Sequence, residues 1–230
     1  LPRSLLDPAP MAASLGHVVR PARIAEALAQ GRLQALAVTA SSYTSGLHWT
    51  FYQTGERWHR PPWRRPGRRS ASQAVGPEHL LASAAIPFLF PAVPLVVDGR
   101  TEYFGDGSMR QIAPLSPAFN LGATRILAIG VGQPERTGLG QEAMPTGPHP
   151  SLAQIATHAM ASVFHDTLEA DVEQAGRVNA GLQRLRDASG LPYRAVQVLA
   201  IQPSRSLDEL ALVHARALPE PAVRVLRMMG

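Results

Sequence analysis

The chain has 230 residues, enough for one large domain or a domain with an appendage, and enough to bury a real core. Hydrophobic residues make up 45% and charged residues 17%, a balance that excludes a disordered chain. Cysteine is absent, which excludes disulfides, thiolate metal sites and a cysteine nucleophile. No run approaches the roughly 18 apolar residues that a spanning helix needs.

All 22 basic residues are arginine, and the formal net charge is +5. Such a charge is compatible with a polyanion or an anionic membrane surface as partner. A basic surface without a partner is the favoured interpretation.

The first third of the chain predicts one helix, two strands and a loop. Residues 20–31 have proline near their start and glycine at their end, a pattern typical of a short helix. Residues 33–40 and 47–53 are predicted as strands joined by a turn. Residues 56–73 contain many prolines and arginines, which favours an irregular surface loop.

The middle of the chain continues with a helix and a pair of apolar strands. Pro77 opens the helix and Pro87 ends it. Apolar strand material follows, with a turn at Asp98-Gly99 and a strand end at Gly105. Next comes a short helix that Ser116 can cap, with Pro117 as its first residue and Gly122 after it. Residues 124–132, TRILAIGVG, are typical of a buried parallel strand.

The last third begins with a segment, 133–150, whose glycines and prolines indicate a linker or long loop. Ser151 and Gln154 then form a capping box for a long helix that extends to residue 185 and can break at Gly176 or Gly181. A strand within 193–204 and a helix from residue 206 to 218 complete the chain. This order of elements predicts an α/β fold with a mostly parallel central sheet.

Asp106 lies between two glycines at the predicted end of a strand, where ligands gather in such sheets. A carboxylate in this place can be approached closely, and it would need a raised pKa to act as a general base. An apolar pocket formed by Ile86, Phe88 or Phe90 would raise it by desolvation. The alternative is that Asp106-Gly107 is only a turn.

Several linked motifs resemble the patatin-like phospholipase family. ASAAIPFLFPAV matches the family's A-S-x-x-x-P helix end and F-P-P-like loop, and FGDGSMRQIAPLSPAFNLGATRILAI matches its D-G-G/A region. The similarity extends upstream through GRLQALAVTASSYTSGLHWTFY. Downstream, HDTLEADVEQAGRVNAGL and VLAIQPSRSLDELALVHARAL resemble the C-terminal extension of one bacterial subgroup.

The resemblance implies a three-layer fold and hydrolysis of lipid acyl esters by a Ser-Asp dyad, without metal or cofactor. Asp106 matches the family's base and Gly107 its motif glycine, whereas Ser108 replaces the usual Gly or Ala. The resemblance also implies three regions in the chain. These are the C-terminal part of the hydrolase domain over 1–132, the linker 133–150, and a helix-strand-helix extension over 151–230 packed on the same domain.

The family's nucleophile elbow, G-x-S-x-G, does not occur in these residues, and neither does its Gly-rich oxyanion loop. Because the chain begins with Leu1, we expect it to be the C-terminal portion of a longer enzyme and inactive by itself. The alternative is a non-catalytic lipid-binding or regulatory protein with the same fold.

Other candidates have simpler interpretations. Ordinary hydroxyl roles are favoured over nucleophilic ones for the remaining serines, Ser41, Ser42, Ser45, Ser83 and Ser108. Solvated helix polarity is favoured over a metal site for His158, His165, Asp166 and Glu169. No G-x-G-x-x-G follows a strand, because the spacing of Gly105, Gly107, Gly130 and Gly132 differs.

Arginine and tryptophan alternate in the segment 57–69. Together they can bind anionic lipid headgroups or stack on nucleic acid, and the resemblance favours lipid. We therefore expect a lipid ester substrate, no nucleic-acid partner and possible peripheral membrane contact through Arg57, Trp58, Arg60, Trp63, Arg64 and Arg65. The alternative is a solvated loop whose tryptophans pack locally.

Overall fold

The computed structural model describes residues 4–109, 111–131, 167–185 and 194–204. They belong to two compact units, one that extends to Ala123 and one that begins at Thr124. Across these ranges, no helix has the length and apolar character needed to cross a bilayer.

The first unit begins with two helices, α1 (Ala9–Val18) and α2 (Pro21–Ala29). The prediction of a helix at 20–31 is confirmed, and its signals act as expected. Pro21 occupies the start, where its missing N–H costs nothing, and Gly31 follows the end with a φ of 70°. The sequence patterns did not predict α1.

A six-stranded sheet forms the centre of the first unit, in the spatial order β3-β4-β2-β1-β6-β5. The strands are β1 (Ala35–Ser42), β2 (His48–Thr54), β3 (Arg64–Arg65), β4 (Arg68–Ser72), β5 (Val93–Val97) and β6 (Arg100–Gly105). The unit is therefore mixed α/β, as predicted, but the expectation of a mostly parallel sheet is wrong here. Only β2 and β4 pair in parallel, and the other neighbours are antiparallel.

Short turns explain the antiparallel pairing of the consecutive strands β1–β2, β3–β4 and β5–β6, because a chain that reverses within a few residues places its next strand antiparallel. The turn between β5 and β6 consists of Asp98 and Gly99, with φ values of 49° and 74°. Two successive positive φ angles are the signature of a type I′ hairpin turn, which aspartate and glycine favour. The turn predicted at these two residues is confirmed.

The prediction of an irregular loop over 56–73 is wrong for much of that segment. A 3₁₀ helix occupies Glu56–Trp58, and β3 and β4 form a hairpin around Pro66 and Gly67. Gly67 has a φ of 69°, so proline followed by a left-handed glycine makes a tight reversal. The Pro66-Gly67 turn therefore places the flanking arginines opposite each other in a two-stranded ladder. It does not prevent regular structure, contrary to the sequence prediction.

One face of the sheet packs against the short helix α3 (Pro77–Ser83). The hydrophobic core of this face is centred on Phe51, which is fully buried. Its ring contacts those of Trp49, His79 and Phe104, with ring-centroid separations of 6.2, 4.9 and 5.3 Å. The other buried side chains of this core are Val38, Ala40, Val75, Ala82, Leu95 and Val97. Alternation along the strands produces this apolar face, since every second residue points to it.

A further short helix, α4 (Ser116–Leu121), lies near the end of the first unit. Pro117 opens it and Gly122 follows it with a φ of 99°, as the sequence predicted. Ser116 is the first helical residue and makes no side-chain capping bond, so the expected cap is not formed.

The second unit contains β7 (Arg125–Ile129) and β8 (Gln197–Ile201), which pair in parallel, and the helix α5 (Leu168–Arg184). The Asn179 side chain holds the start of β8, accepting from the N–H of Val196 at 3.0 Å and donating to its carbonyl at 2.7 Å.

Several predictions concern this second unit. Parallel pairing of the apolar strand at 124–132 is confirmed, but its burial is not, since Ile129 is 74% exposed in the described structure. The helix α5 runs through Gly176 and Gly181 without a break. The predicted helix start at Ser151, the linker at 133–150 and the helix after residue 206 lie outside the described residues.

Candidate functional site

Asp106 lies directly after β6, in a loop that we call the aspartate loop, residues 105–109. The end of β6 pairs with the end of β1, with Gly105 opposite Ser41 and Phe104 opposite Ser42. The aspartate loop therefore leaves the sheet beside the carboxyl end of β1. Asp106 occupies the strand-end position that the sequence predicted.

Backbone hydrogen bonds attach the aspartate loop to the end of α3. The N–H of Asp106 donates to the carbonyl of Ala85, and the N–H of Gly107 donates to the carbonyl of Ser83, both at 3.0 Å. The last carbonyls of a helix have no partner within it, and here they accept from the loop. The end of α3 thus fixes the backbone around Asp106.

Both glycines of the aspartate loop make close contacts, and the contact of Gly107 requires a glycine. A Cβ on Gly105 would overlap the phenol group of Tyr43, and a Cβ on Gly107 would overlap the backbone carbonyl of Thr39. The second overlap is the more severe constraint, because a backbone atom in the middle of β1 cannot move aside as a side chain can. The motif glycine Gly107 therefore allows the loop to lie directly on β1.

The two carboxylate oxygens of Asp106 have different environments. Oδ1 accepts from the backbone N–H of Ser108 at 2.8 Å and from its hydroxyl at 2.6 Å. Oδ2 has no hydrogen-bond donor among the described residues and is the oxygen that a further hydroxyl can reach. Ser108, where the sequence departs from the family motif, thus contacts the candidate base directly.

Tyr43 lies close enough to sense the charge of Asp106. Partial burial and the negative charge of Asp106 both raise the pKa of the Tyr43 phenol, and burial has the larger effect.

The side chain of Phe88 is 70% exposed, so it does not enclose the apolar pocket that the sequence predicted around Asp106. Its φ of 66° is unusual for a bulky residue.

Two buried polar side chains hold the far end of the aspartate loop at Met109. The hydroxyl of Ser41 donates to the Met109 carbonyl and lies 3.4 Å from Nδ1 of His48. Burial lowers the pKa of His48 to about 4; the Met109 carbonyl opposes this shift, and the positive charge of Arg68 adds to it. His48 is therefore neutral at pH 7 and serves as a structural hydrogen-bonding group.

An open cleft of about 860 Å³ lies near the aspartate loop, although residues 105–109 do not line it. Thr39 and Ser83, which both contact Gly107, line this cleft, as do Leu80 and Trp58. Its volume lies in the range of small-molecule sites. One wall is β1, whose residues 35–40 pair with β2 on one side and with no described strand on the other.

The structure separates the five candidate serines into two groups. Ser41, Ser83 and Ser108 surround the aspartate loop through the contacts given above. Ser42 and Ser45 instead donate to the same carboxylate oxygen of Glu102, at 2.6 and 2.7 Å. None of the five lies at the strand-to-helix turn that exposes a nucleophile.

The four residues considered and set aside as metal ligands are only partly described. His158, His165 and Asp166 lie outside the described residues, and Glu169 accepts a hydrogen bond from the side chain of Gln202 at 2.9 Å. No group of three His, Cys, Asp or Glu that could hold a metal ion occurs in the described ranges.

The sequence patterns missed Thr39, Tyr43 and His48 as parts of this site, and they indicated only an ordinary hydroxyl role for Ser41. Thr39 and Ser41 alternate with the buried Val38 and Ala40 along β1, and this alternation places the two polar residues on the opposite face of the sheet. That alternation was enough to predict which face of the sheet Thr39 and Ser41 occupy. Only the fold shows that the aspartate loop lies on this face.

The chain matches no known protein-family model, no curated protein and no solved structure.

Proposed function

We propose that Asp106 is the general base of a Ser-Asp acyl hydrolase that acts on lipid esters. The nucleophilic serine and the oxyanion donors would come from a segment outside these 230 residues. The observation that carries the proposal is the placement of Asp106 at a strand end, with Oδ2 free of described donors, in a loop that contacts Thr39 and Ser83. Those two residues line an open cleft. The similarity of the linked motifs to patatin-like phospholipases supplies the reaction class.

The chemistry requires a base that can accept one proton. Oδ2 of Asp106 would take the proton of a serine hydroxyl as the serine oxygen attacks the ester carbonyl. The alcohol then leaves with that proton, and an acyl-serine remains. Asp106 next activates a water molecule, which releases the fatty acid and restores the serine. No metal or cofactor is needed for these steps.

The side of β1 that has no described partner strand supports the placement of the proposed serine. Residues 35–38 lie on this side, ahead of the Thr39 carbonyl on which Gly107 is seated, and an unpaired strand edge is a template for another strand. A strand that paired there and turned into a helix would bring its serine next to the aspartate loop. With this addition the first unit would become part of a three-layer patatin-like domain.

The decisive experiment uses the protein encoded by the complete open reading frame that contains this chain. Its hydrolysis of p-nitrophenyl acyl esters would be compared with that of Asp106→Asn. We expect the substitution to reduce kcat by at least about a hundredfold, the usual contribution of a general base. Asp98→Asn is the matched control, since Asp98 is an exposed turn residue with a positive φ that asparagine tolerates.

Each other outcome has a definite meaning. Activity that survives Asp106→Asn would return Asp106 to the role of a turn residue. If the complete protein hydrolyses no ester, or its reading frame lacks G-x-S-x-G after a Gly-rich loop, the hydrolase proposal fails in favour of a non-catalytic lipid-binding protein.

A further inference from the structure

The segment RRPGRR forms a hairpin whose two strands carry four arginines. We call these residues the arginine hairpin: Arg64, Arg65, Arg68 and Arg69. Arg64 pairs with Arg69 and Arg65 pairs with Arg68 across the ladder. Directly opposite residues share a face of the sheet, so each face of the hairpin carries a pair of guanidinium groups.

These four charges are not compensated within the described part of the chain. Its arginine–carboxylate ion pairs join Arg32 with Glu26 and Arg177 with Glu173, and involve none of the hairpin arginines. Like charges directly opposite each other on a sheet are destabilising. An anion placed between them would remove the repulsion.

The guanidinium donors are also incompletely used. Arg65 and Arg69 donate only to backbone carbonyls of the hairpin itself, at 3.0–3.1 Å. Nη1 of Arg68 is buried and has no hydrogen-bond acceptor among the described residues. A buried donor without an acceptor is costly. The arginines that a phosphate oxygen can reach directly are Arg64 and Arg65, which are both exposed.

The tryptophans of the neighbouring segment are engaged in internal contacts. Nε1 of Trp58 donates to the Leu121 carbonyl at 2.7 Å, and the Arg60 guanidinium lies 5.0 Å from its ring centroid. Trp63 stacks on Tyr52 with 5.0 Å between centroids. Neither ring is free to insert among acyl chains or to stack on a nucleobase, so any partner of this surface is bound through arginine.

We propose that the arginine hairpin docks the protein on a membrane surface rich in anionic phospholipids, with guanidinium groups bound to headgroup phosphates. Arginine suits this role because its planar fork binds phosphate through two parallel hydrogen bonds. Single-stranded nucleic acid is the less suitable polyanion, since its binding relies on aromatic stacking that Trp58 and Trp63 do not provide. The docking proposal is independent of the role of Asp106.

The test measures sedimentation of the full chain with vesicles. We expect binding to vesicles of mixed phosphatidylglycerol and phosphatidylcholine, weakening as salt is added, and no binding to pure phosphatidylcholine. Arg64→Gln/Arg65→Gln changes two exposed residues of the edge strand β3. Each arginine near an anionic surface strengthens binding about fivefold, so the double variant should bind roughly twenty-five-fold more weakly.

The matched control, Arg20→Gln/Arg23→Gln, removes the same charge from exposed positions at the start of α2. It should bind nearly as well as the original chain. Equal weakening of the two double variants would mean that binding follows net charge alone and would overturn the proposal. So would equal binding to both vesicle types.

Two further measurements keep the result unambiguous. A single-stranded oligonucleotide that binds more tightly than the vesicles, and is lost in Arg64→Gln/Arg65→Gln, would replace the membrane with nucleic acid. Thermal melting checks that the variants fold. If the double variant does not fold, Arg64→Gln alone should weaken vesicle binding about fivefold, and an unchanged affinity would overturn the proposal.

Discussion

The backbone of Gly107 lies so close to the carbonyl of Thr39 that the chain has no room for a Cβ between them. This contact joins the motif that carries the candidate base to the middle of β1. The aspartate loop is thus seated on the sheet through its glycine, and the Asp106 carboxylate is positioned from that contact.

Gly107→Ala should displace the aspartate loop. The added methyl group overlaps a backbone oxygen, and forced overlaps of this kind cost about 1–3 kcal/mol of unfolding free energy. Urea denaturation of the full chain measures the loss. Gly16→Ala is the control, since nothing lies within 4 Å of a Cβ there, and alanine in that helix should be neutral or stabilising. Equal stability of Gly107→Ala and the original chain would contradict the close packing.

Ser41→Ala should loosen the far end of the same loop. It removes the hydroxyl that donates to the buried Met109 carbonyl, and an under-satisfied buried carbonyl costs roughly 1–3 kcal/mol. Ser45→Ala is the comparison, because Ser45 is exposed and should change stability by less than about 0.5 kcal/mol. Hydrogen exchange of the amides in 105–109 should also rise in Ser41→Ala alone, and unchanged exchange would argue against the anchoring role.

Protonation of His48 should destabilise the fold in mild acid. Its pKa is about 4 in the folded chain and 6.5 without burial, so the unfolded chain binds the proton first as the pH falls. Stability is therefore complete above about pH 6.5 and decreases toward pH 4, by about 2 kcal/mol between about pH 7.5 and 5.

Urea denaturation of the original chain and of His48→Gln at these two pH values isolates the His48 contribution. The lowered pKa of His79, which burial also causes, acts in the same direction in both proteins and cancels in the comparison. Equal pH dependence of the two proteins would show that His48 titrates normally.

Phe51→Ala should be the most destabilising of these changes. The ring is fully buried against Trp49, His79 and Phe104, and removal of a buried phenylalanine typically costs about 3–5 kcal/mol. Phe88→Ala removes an equal volume from a side chain that is 70% exposed, and its effect should be small. Comparable losses at the two positions would mean that the core is not centred on Phe51.

Local signals in the sequence determined the elements whose cause is local. Pro21 and Gly31 bound α2, Asp98-Gly99 makes the hairpin turn, and Gly105 ends β6, because backbone dihedral preferences act within a few residues. The strand-end position of Asp106 followed from the same reasoning.

Local sequence signals did not predict whether neighbouring strands pair parallel or antiparallel. A strand shows the same apolar pattern whether its neighbour is parallel or antiparallel, so the sequence pattern did not exclude the parallel sheet that the first unit lacks. In the segment RRPGRR, proline and charge predicted a loop. The Pro66-Gly67 turn and the parallel partner β2 instead made strands of it.

The sequence by itself determined the composition, the turns and the presence of a lone aspartate between glycines after a strand. Only the tertiary structure decided that Gly107 lies on Thr39, that Ser41 and His48 hold Met109, and that one side of β1 faces a cleft with no partner strand among the described residues. The physical reason is distance along the chain. These contacts join residues about sixty to seventy positions apart, and such contacts depend on packing of the whole sheet rather than on preferences within a turn or a helix.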